Sequence, residues 1–272
     1  MIAIVSGAFD DLRSRQIRFL EEASKLAELT VLLWSDEAIR RREGRPPKFP
    51  QPERLYYLQS IRYVRSVEMV DGPADPAGFC GRLGGSEGTW VVHEAESDGV
   101  HQKQCEARGW RYHVLPDEVL SGFPGPVSAG PAGEPSRKKV VVTGCYDWFH
   151  SGHARFCEEA SAFGDLYVIV GQDANIRLLK GAGHPLFPQE ERRYVVGSVR
   201  YVKQALVSSG MGWLDADPEI KRLKPDIYVV NEDGDKGGKR EYCQQNGLEY
   251  RVLKRVPAPG LPGRSSTDLR GF

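Results

Sequence analysis

Cysteine is scarce in this chain, five residues in 272, and no two of them are spaced as CxxC. That scarcity argues against a disulfide framework or a structural zinc site, and predicts that Cys80, Cys105, Cys145, Cys157 and Cys243 are reduced and mostly buried. Charge of one sign is also lacking. Lys plus Arg number 37 and Asp plus Glu number 37, so no overall basic field attracts nucleic acid, and an anionic ligand must be held by local groups. No apolar run approaches the roughly 20 residues needed to span a bilayer. The start, Met1-Ile2-Ala3-Ile4-Val5-Ser6-Gly7, reads as a short apolar strand rather than a basic leader with a cleavage site. These absences predict a cytoplasmic protein with neither a nucleic-acid nor a membrane partner.

What is present is an internal repeat. Gly7 and Asp10 stand 137 residues before Gly144 and Asp147. At an offset of 138, Phe49-Pro50-Gln51, Glu53-Arg54 and Arg62-Tyr63-Val64 recur as Phe187-Pro188-Gln189, Glu191-Arg192 and Arg200-Tyr201-Val202. Cys105, Gly109 and Tyr112 recur at that offset as Cys243, Gly247 and Tyr250. Each copy alternates apolar strands, such as Leu166–Val170 and Asp226–Val230, with polar-faced helical stretches, the pattern of a parallel α/β sheet flanked by helices. Ser128 to Ser136, rich in glycine, proline and small residues, divides the copies. The expected organisation is a degenerate domain over 1–127, a linker over 128–138 and a catalytic domain over 139–272.

The copies differ where chemistry would occur. Val140-Val141-Val142-Thr143 reads as a strand buried on both faces, Gly144 as the turn after it, and His150 and His153 as residues at the start of a helix running through Phe163. Free amides and the positive dipole end favour an anion there, and two imidazoles three apart add donors at the same place. Gly152 permits close approach of a phosphate to the backbone. In the first copy His150, Gly152 and His153 are replaced by Arg13, Arg15 and Gln16, and Lys180 by Glu43.

The pattern GxxDxxHxGH after a strand resembles the signature of the HxGH nucleotidyltransferase superfamily. Asp147 to Arg155 is similar to phosphocholine cytidylyltransferase, and Gly144-Cys145-Tyr146-Asp147 to the phosphoethanolamine enzyme, which also has two tandem domains. Lys180-Gly181, Pro185, Phe187 and Gln189-Glu190-Glu191-Arg192 resemble that family's KG…P…F…QEER block, and Gly263-Arg264-Ser265-Ser266-Thr267-Asp268-Leu269 its GxSTTDL motif. The resemblance implies two Rossmann-like domains arranged as a pseudo-dimer in a monomeric chain. It implies catalytic roles for His150, His153 and Lys180. Nucleotide contacts follow for Gly144, Cys145, Tyr146, Asp147, Gly152, Arg192, Asn231, Asp233, Arg264, Ser265, Ser266 and Thr267. Asp147, Trp213 and Arg200 are the implied substrate-binding residues. Arg192 and Arg200, eight apart, are expected on one helix. Their counterparts Arg54 and Arg62 persist in the degenerate copy, so a packing role is an equal alternative. Mg²⁺ is implied as a cofactor carried on substrate phosphates, with Asp147 as the protein group for the metal or for holding the loop, and no dedicated metal cage is expected.

This chain departs from the family in two places. Lys254-Arg255 is separated from Arg264-Ser265-Ser266 by five more residues than the family allows, leaving open which arginine meets phosphate. Lys203 stands where relatives carry an aspartate. The implied reaction joins a nucleoside triphosphate to a small phosphorylated acceptor, most directly CMP from CTP onto phosphoethanolamine, phosphocholine or glycerol phosphate. The alternatives are adenylyl transfer to a sugar phosphate, and a nucleotide-binding regulator without turnover.

Overall fold

The computed structural model describes residues 1–73, 75, 76, 78, 79, 87–125, 137–266 and 269. These divide into two compact units, Met1–Gly122 and Phe123–Phe272. The division falls before the expected boundary at 127 because Phe123 and Pro124 belong to the second unit: Phe123 packs on Tyr194 and the Pro124 carbonyl accepts from Arg193. Residues 128–136 of the expected linker lie outside the described residues.

The first unit runs β1 (Ile2–Gly7), α1 (Ser14–Ser24), β2 (Glu28–Trp34), α2 (Asp36–Glu43), α3 (Gln51–Ser60), β3 (Val64–Val70), β4 (Gly88–His93), α4 (Gly99–Glu106) and β5 (Arg111–Leu115). The second runs β6 (Lys139–Gly144), α5 (Ser151–Ser161), β7 (Asp165–Val170), α6 (Asp173–Lys180), α7 (Gln189–Gly197), β8 (Val202–Val207), α8 (Asp217–Leu223), β9 (Ile227–Asn231), α9 (Lys239–Gln245) and β10 (Glu249–Leu253). The sheets are ordered β3-β2-β1-β4-β5 and β10-β9-β6-β7-β8, so the first strand of each unit is central and the order is the same. Every pairing described is parallel.

The expected α/β class with parallel sheets follows from the valine-rich strands. Val140, Val141 and Val142 are fully buried, as strands covered on both faces require. Below the second sheet, Val141, Ile169, Tyr228 and Val230 pack on Ala216 and Ile220 of the α8 region and on Tyr242 and Cys243 of α9. Each buried valine or isoleucine among them contributes about 1.5–3 kcal/mol. After β6 the chain moves to β7 on one side, while β9 lies on the other. The order therefore reverses between β6 and β9, and a crevice opens beyond their carboxyl ends, the position where open α/β sheets bind ligands.

Candidate active site

A cavity of about 370 Å³ fills that crevice. Its floor is Thr143 and Gly144 at the end of β6 with Val230 and Asn231 at the end of β9, and one wall is the start of α5. Backbone sterics shape the turn out of β6. Tyr146 adopts φ 53°, a left-handed conformation unusual for a residue with a side chain, and Phe9 does the same at φ 45° in the first unit. Gly144 makes room for this turn, since a Cβ there would meet the Tyr146 ring at 2.8 Å.

His150 is the N-cap of α5, and its Nδ1 accepts from the Gly152 amide at 3.1 Å. Nδ1 is thus unprotonated in the neutral ring, and the proton lies on Nε2. His153 stacks on His150 with ring centroids 4.0 Å apart and 26° between planes. Its pKa is lowered to about 3, by burial first and then by the positive charges of Arg255 and Lys180, so it is neutral at physiological pH. Among the described residues the buried His153 Nδ1 has no hydrogen-bond partner.

Asp147 lines the cavity but is nearly buried, and its Oδ1 accepts from the amides of Leu186 at 2.7 Å and Phe187 at 3.1 Å. Of the two expectations for this carboxylate, the geometry gives the second: it holds the loop after α6. Asp10 does the same in the first unit, accepting from Lys48 and Phe49. The end of α6 and that loop bring Lys180 and His184 to the cavity. Among the described residues no group of three His, Cys, Asp or Glu stands where it could hold a metal ion.

Gly144, Cys145, Tyr146, Asp147, His150, Gly152, His153, Lys180, Asn231, Asp233, Ser265 and Ser266 all line this one cavity, although they are spread over more than a hundred residues of sequence. Arg192 is a correction. Its side chain is buried away from the cavity, where Nε donates to the Phe187 carbonyl, Nη1 to Cys145, and Nη2 to Gly171 and to Asp173 Oδ1. These bonds commit the guanidinium to the fold. Arg200 is exposed and lies beyond α7, which ends at Gly197, so the two arginines do not share a helix and Arg200 is not among the cavity residues. Trp213, 54% exposed, stands beside the cavity rather than in its lining, with its ring 3.5 Å from the Cβ position of Gly238. Thr267 lies outside the described residues.

The lengthened loop places Arg255 in the cavity and Arg264 in a neighbouring pocket of about 300 Å³. Arg255 donates to Asp233 at 2.6 Å and to the Arg264 carbonyl at 2.7 Å, tying the ends of the insertion together. Lys203 forms an ion pair with Asp165. Lys239 and His184 are cavity residues that sequence reasoning missed. For Lys239 the signal lay in comparing the copies, because its counterpart at the 138 offset is His101 and the fixed positive charge occurs only in the second copy.

Among the described residues of the first unit, the corresponding cations are bound by acids of that unit. Arg13 pairs with Asp11 at 2.7 Å, Lys48 with Asp11 at 2.9 Å and Arg15 with Asp117 at 2.5 Å. Gln16 Oε1 accepts from the Arg13 amide, closing the helix start.

Residues 141–272 match the cytidylyltransferase-like family. The chain is 36% identical over 120 residues to FAD synthase of Ferroglobus placidus, covering 43% of this chain and 75% of that protein. It is 31% identical over 135 residues to FAD synthase of Methanocella paludicola, covering 48% and 93%. It is also 38% identical over 101 residues to the bifunctional protein HldE of Campylobacter curvus, covering 35% of this chain and only 20% of that one. The histidine pair, the sheet-edge cavity and these relationships agree: the chain belongs to the cytidylyltransferase-like family of HxGH nucleotidyltransferases.

Proposed function

We propose that this chain transfers AMP from ATP to the phosphate of a small phosphorylated acceptor and releases pyrophosphate. The observation that carries the reading is the stacked His150–His153 pair at the start of α5, facing one cavity with Lys180, Arg255, Ser265 and Ser266. Similarity to proteins named FAD synthase supports adenylyl transfer, since FAD is an adenylylated flavin phosphate. The expectation of CMP transfer to phosphoethanolamine or a similar acceptor therefore gives way to the adenylyltransferase alternative.

In the reaction an acceptor phosphate oxygen bonds to the α-phosphorus as the bond to the bridging α–β oxygen breaks, and pyrophosphate leaves with that electron pair. The acceptor needs no general base, because a phosphomonoester with a second pKa near 6 is largely dianionic at neutral pH. Positioning and charge stabilisation carry the catalysis. His150 Nε2–H and His153 would donate to the α-phosphate and the bridging oxygen. Lys180 would neutralise equatorial charge, and Ser265 and Ser266 with Arg255 would hold the outer phosphates. Mg²⁺, carried in on the substrate phosphates, would offset part of the triphosphate charge.

The same proposal takes the chain to be monomeric and cytosolic. Among the described residues no helix is long and apolar enough to cross a membrane.

The test is pyrophosphate release with ATP, CTP, GTP or UTP against FMN, sugar 1-phosphates, glycerol 3-phosphate, phosphocholine and phosphoethanolamine. Release with ATP and one of the first two acceptor types is expected. Release with CTP alone would restore the cytidylyl reading, and nucleotide binding with no release for any pair would leave a binding protein.

A further inference from the structure

We propose that Lys239 seats the phosphate of the acceptor, in the part of the cavity not taken by the triphosphate. This inference rests on the group-transfer reading above and assigns its second subsite. Gly152, Asn231, Arg255 and Ser265 are shared with the neighbouring pocket behind the lengthened loop, and these flank the helix start suited to the triphosphate. Lys180, Gly234 and Lys239 line the cavity but not that pocket.

Lys239 is held there by local backbone geometry. Gly237 and Gly238, at φ 68° and 73°, turn the chain so that the Trp213 ring lies over Gly238 and the next side chain enters the cavity. Its amine is half-buried, and among the described residues its one hydrogen bond goes to the Gly234 carbonyl at 2.8 Å. Asp235, Asp233 and Asp215 lie near enough to favour its charged form, but among the described residues none of them makes an ion pair with it, and each bonds elsewhere. Asp233 pairs with Arg255 at 2.6 Å, Asp235 accepts from Tyr250 at 2.8 Å and Asp215 accepts from Ser208 at 2.6 Å. An ammonium has three donors, and a partly desolvated cation with one carbonyl partner gains most from an anion. Burial lowers the Lys239 pKa, the cost that such an anion would offset. The first unit, whose site cations are consumed by its own acids, carries His101 here, paired with Asp98. A fixed positive charge at this position also disfavours an acceptor with its own ammonium, so the seat suits acceptors that are purely anionic around the phosphate.

The test is amine acylation of the intact chain, read at Lys239 by peptide mass spectrometry. Four samples are compared: free protein, protein with inorganic phosphate, protein with the α,β-methylene analogue of ATP or CTP, and protein with the analogue and phosphate together. Inorganic phosphate is expected to slow Lys239 labelling at least several-fold with the analogue present, while the analogue alone leaves it nearly unchanged. Full protection by the analogue alone would assign Lys239 to the nucleotide, and no protection by phosphate would remove the seat; either result overturns the inference. In steady state, Lys239→Met should raise the acceptor KM roughly 10- to 100-fold, the scale of a lost charged hydrogen bond, with nucleotide affinity within twofold and Lys239→Arg largely restoring it. Phosphate protection without ATP turnover would sink the adenylyl reading and keep this one, whereas turnover without protection would do the reverse.

Discussion

At the scale of single residues, Gly152 and His153 show how the site separates stability from chemistry. A Cβ on residue 152 would sit 3.0 Å from Cε1 and Nδ1 of His150, the ring whose Nδ1 accepts the residue-152 amide. Alanine is the better helix former by about 1 kcal/mol, a gain of the same size as the cost of straining the His150 cap, so Gly152→Ala should leave the melting temperature nearly unchanged. The displaced imidazole should nevertheless reduce kcat by roughly 10²-fold, the scale of losing one preorganised donor. Thermal melts beside single-turnover kinetics check the pair of outcomes. His153 makes a second prediction. Its folded pKa of about 3 lies below the ordinary value near 6.5, so the unfolded chain gains a proton that the folded chain refuses as pH falls between them. Stability is unaffected above that window and is lost within it, and His153→Gln should flatten the decline seen in urea midpoints between pH 6.5 and 4.

At the scale of elements, each unit is fastened by the same buried arginine. Arg192 joins the turn after β6, the end of β7, the start of α6 and the loop before α7, and Arg54 makes the matching bonds to Ala8, Phe49 and Asp36. Arg192→Met strands the Asp173 carboxylate and three carbonyls, and should cost about 3–5 kcal/mol of unfolding free energy. Arg54→Met should cost a similar amount although its unit lacks the histidine pair. Chemical denaturation of both variants is the measurement, and a catalytic defect in Arg192→Met at full stability would contradict the clamp. Sequence spacing could not separate this clamp from a phosphate ligand, because both demand an arginine at a fixed distance from the loop; only its retention as Arg54 pointed to the fold. The strands, the glycine turn and the histidine helix start were legible because valine runs, Gly144 and the HxGH spacing act locally. Lys239 carried only the signal of its replacement by His101, since α9 reaches the cavity through the order of the strands, which brings residues 239 and 144 to one cavity. Arg255 was obscured by the insertion, whose ends its own guanidinium ties together.

At the scale of the whole molecule, two units with the same strand order differ in whether charge at the sheet edge is available to a ligand. In the second, Lys180 and Lys239 face the cavity outside any ion pair among the described residues, Arg255 is paired with Asp233, and Asp147 is turned into the amides of its own loop. In the first, Arg13 and Lys48 are both held by Asp11, Arg15 by Asp117, and Glu43 stands in the lysine position. A triphosphate approaching the first unit would have to break these pairs and meet the released carboxylates, whereas in the second it meets the histidine pair, with no carboxylate bound to Lys180 or Lys239 among the described residues and only Arg255 paired. The chain should therefore bind one nucleotide, not two. Titration calorimetry with the α,β-methylene triphosphate should return a stoichiometry near one per chain. Lys180→Glu together with His153→Gln, which copies two first-unit residues into the second, should abolish that binding while Glu43→Lys adds none. A stoichiometry near two, or binding that survives the double substitution, would mean that the first unit keeps a working anion site despite its internal ion pairs.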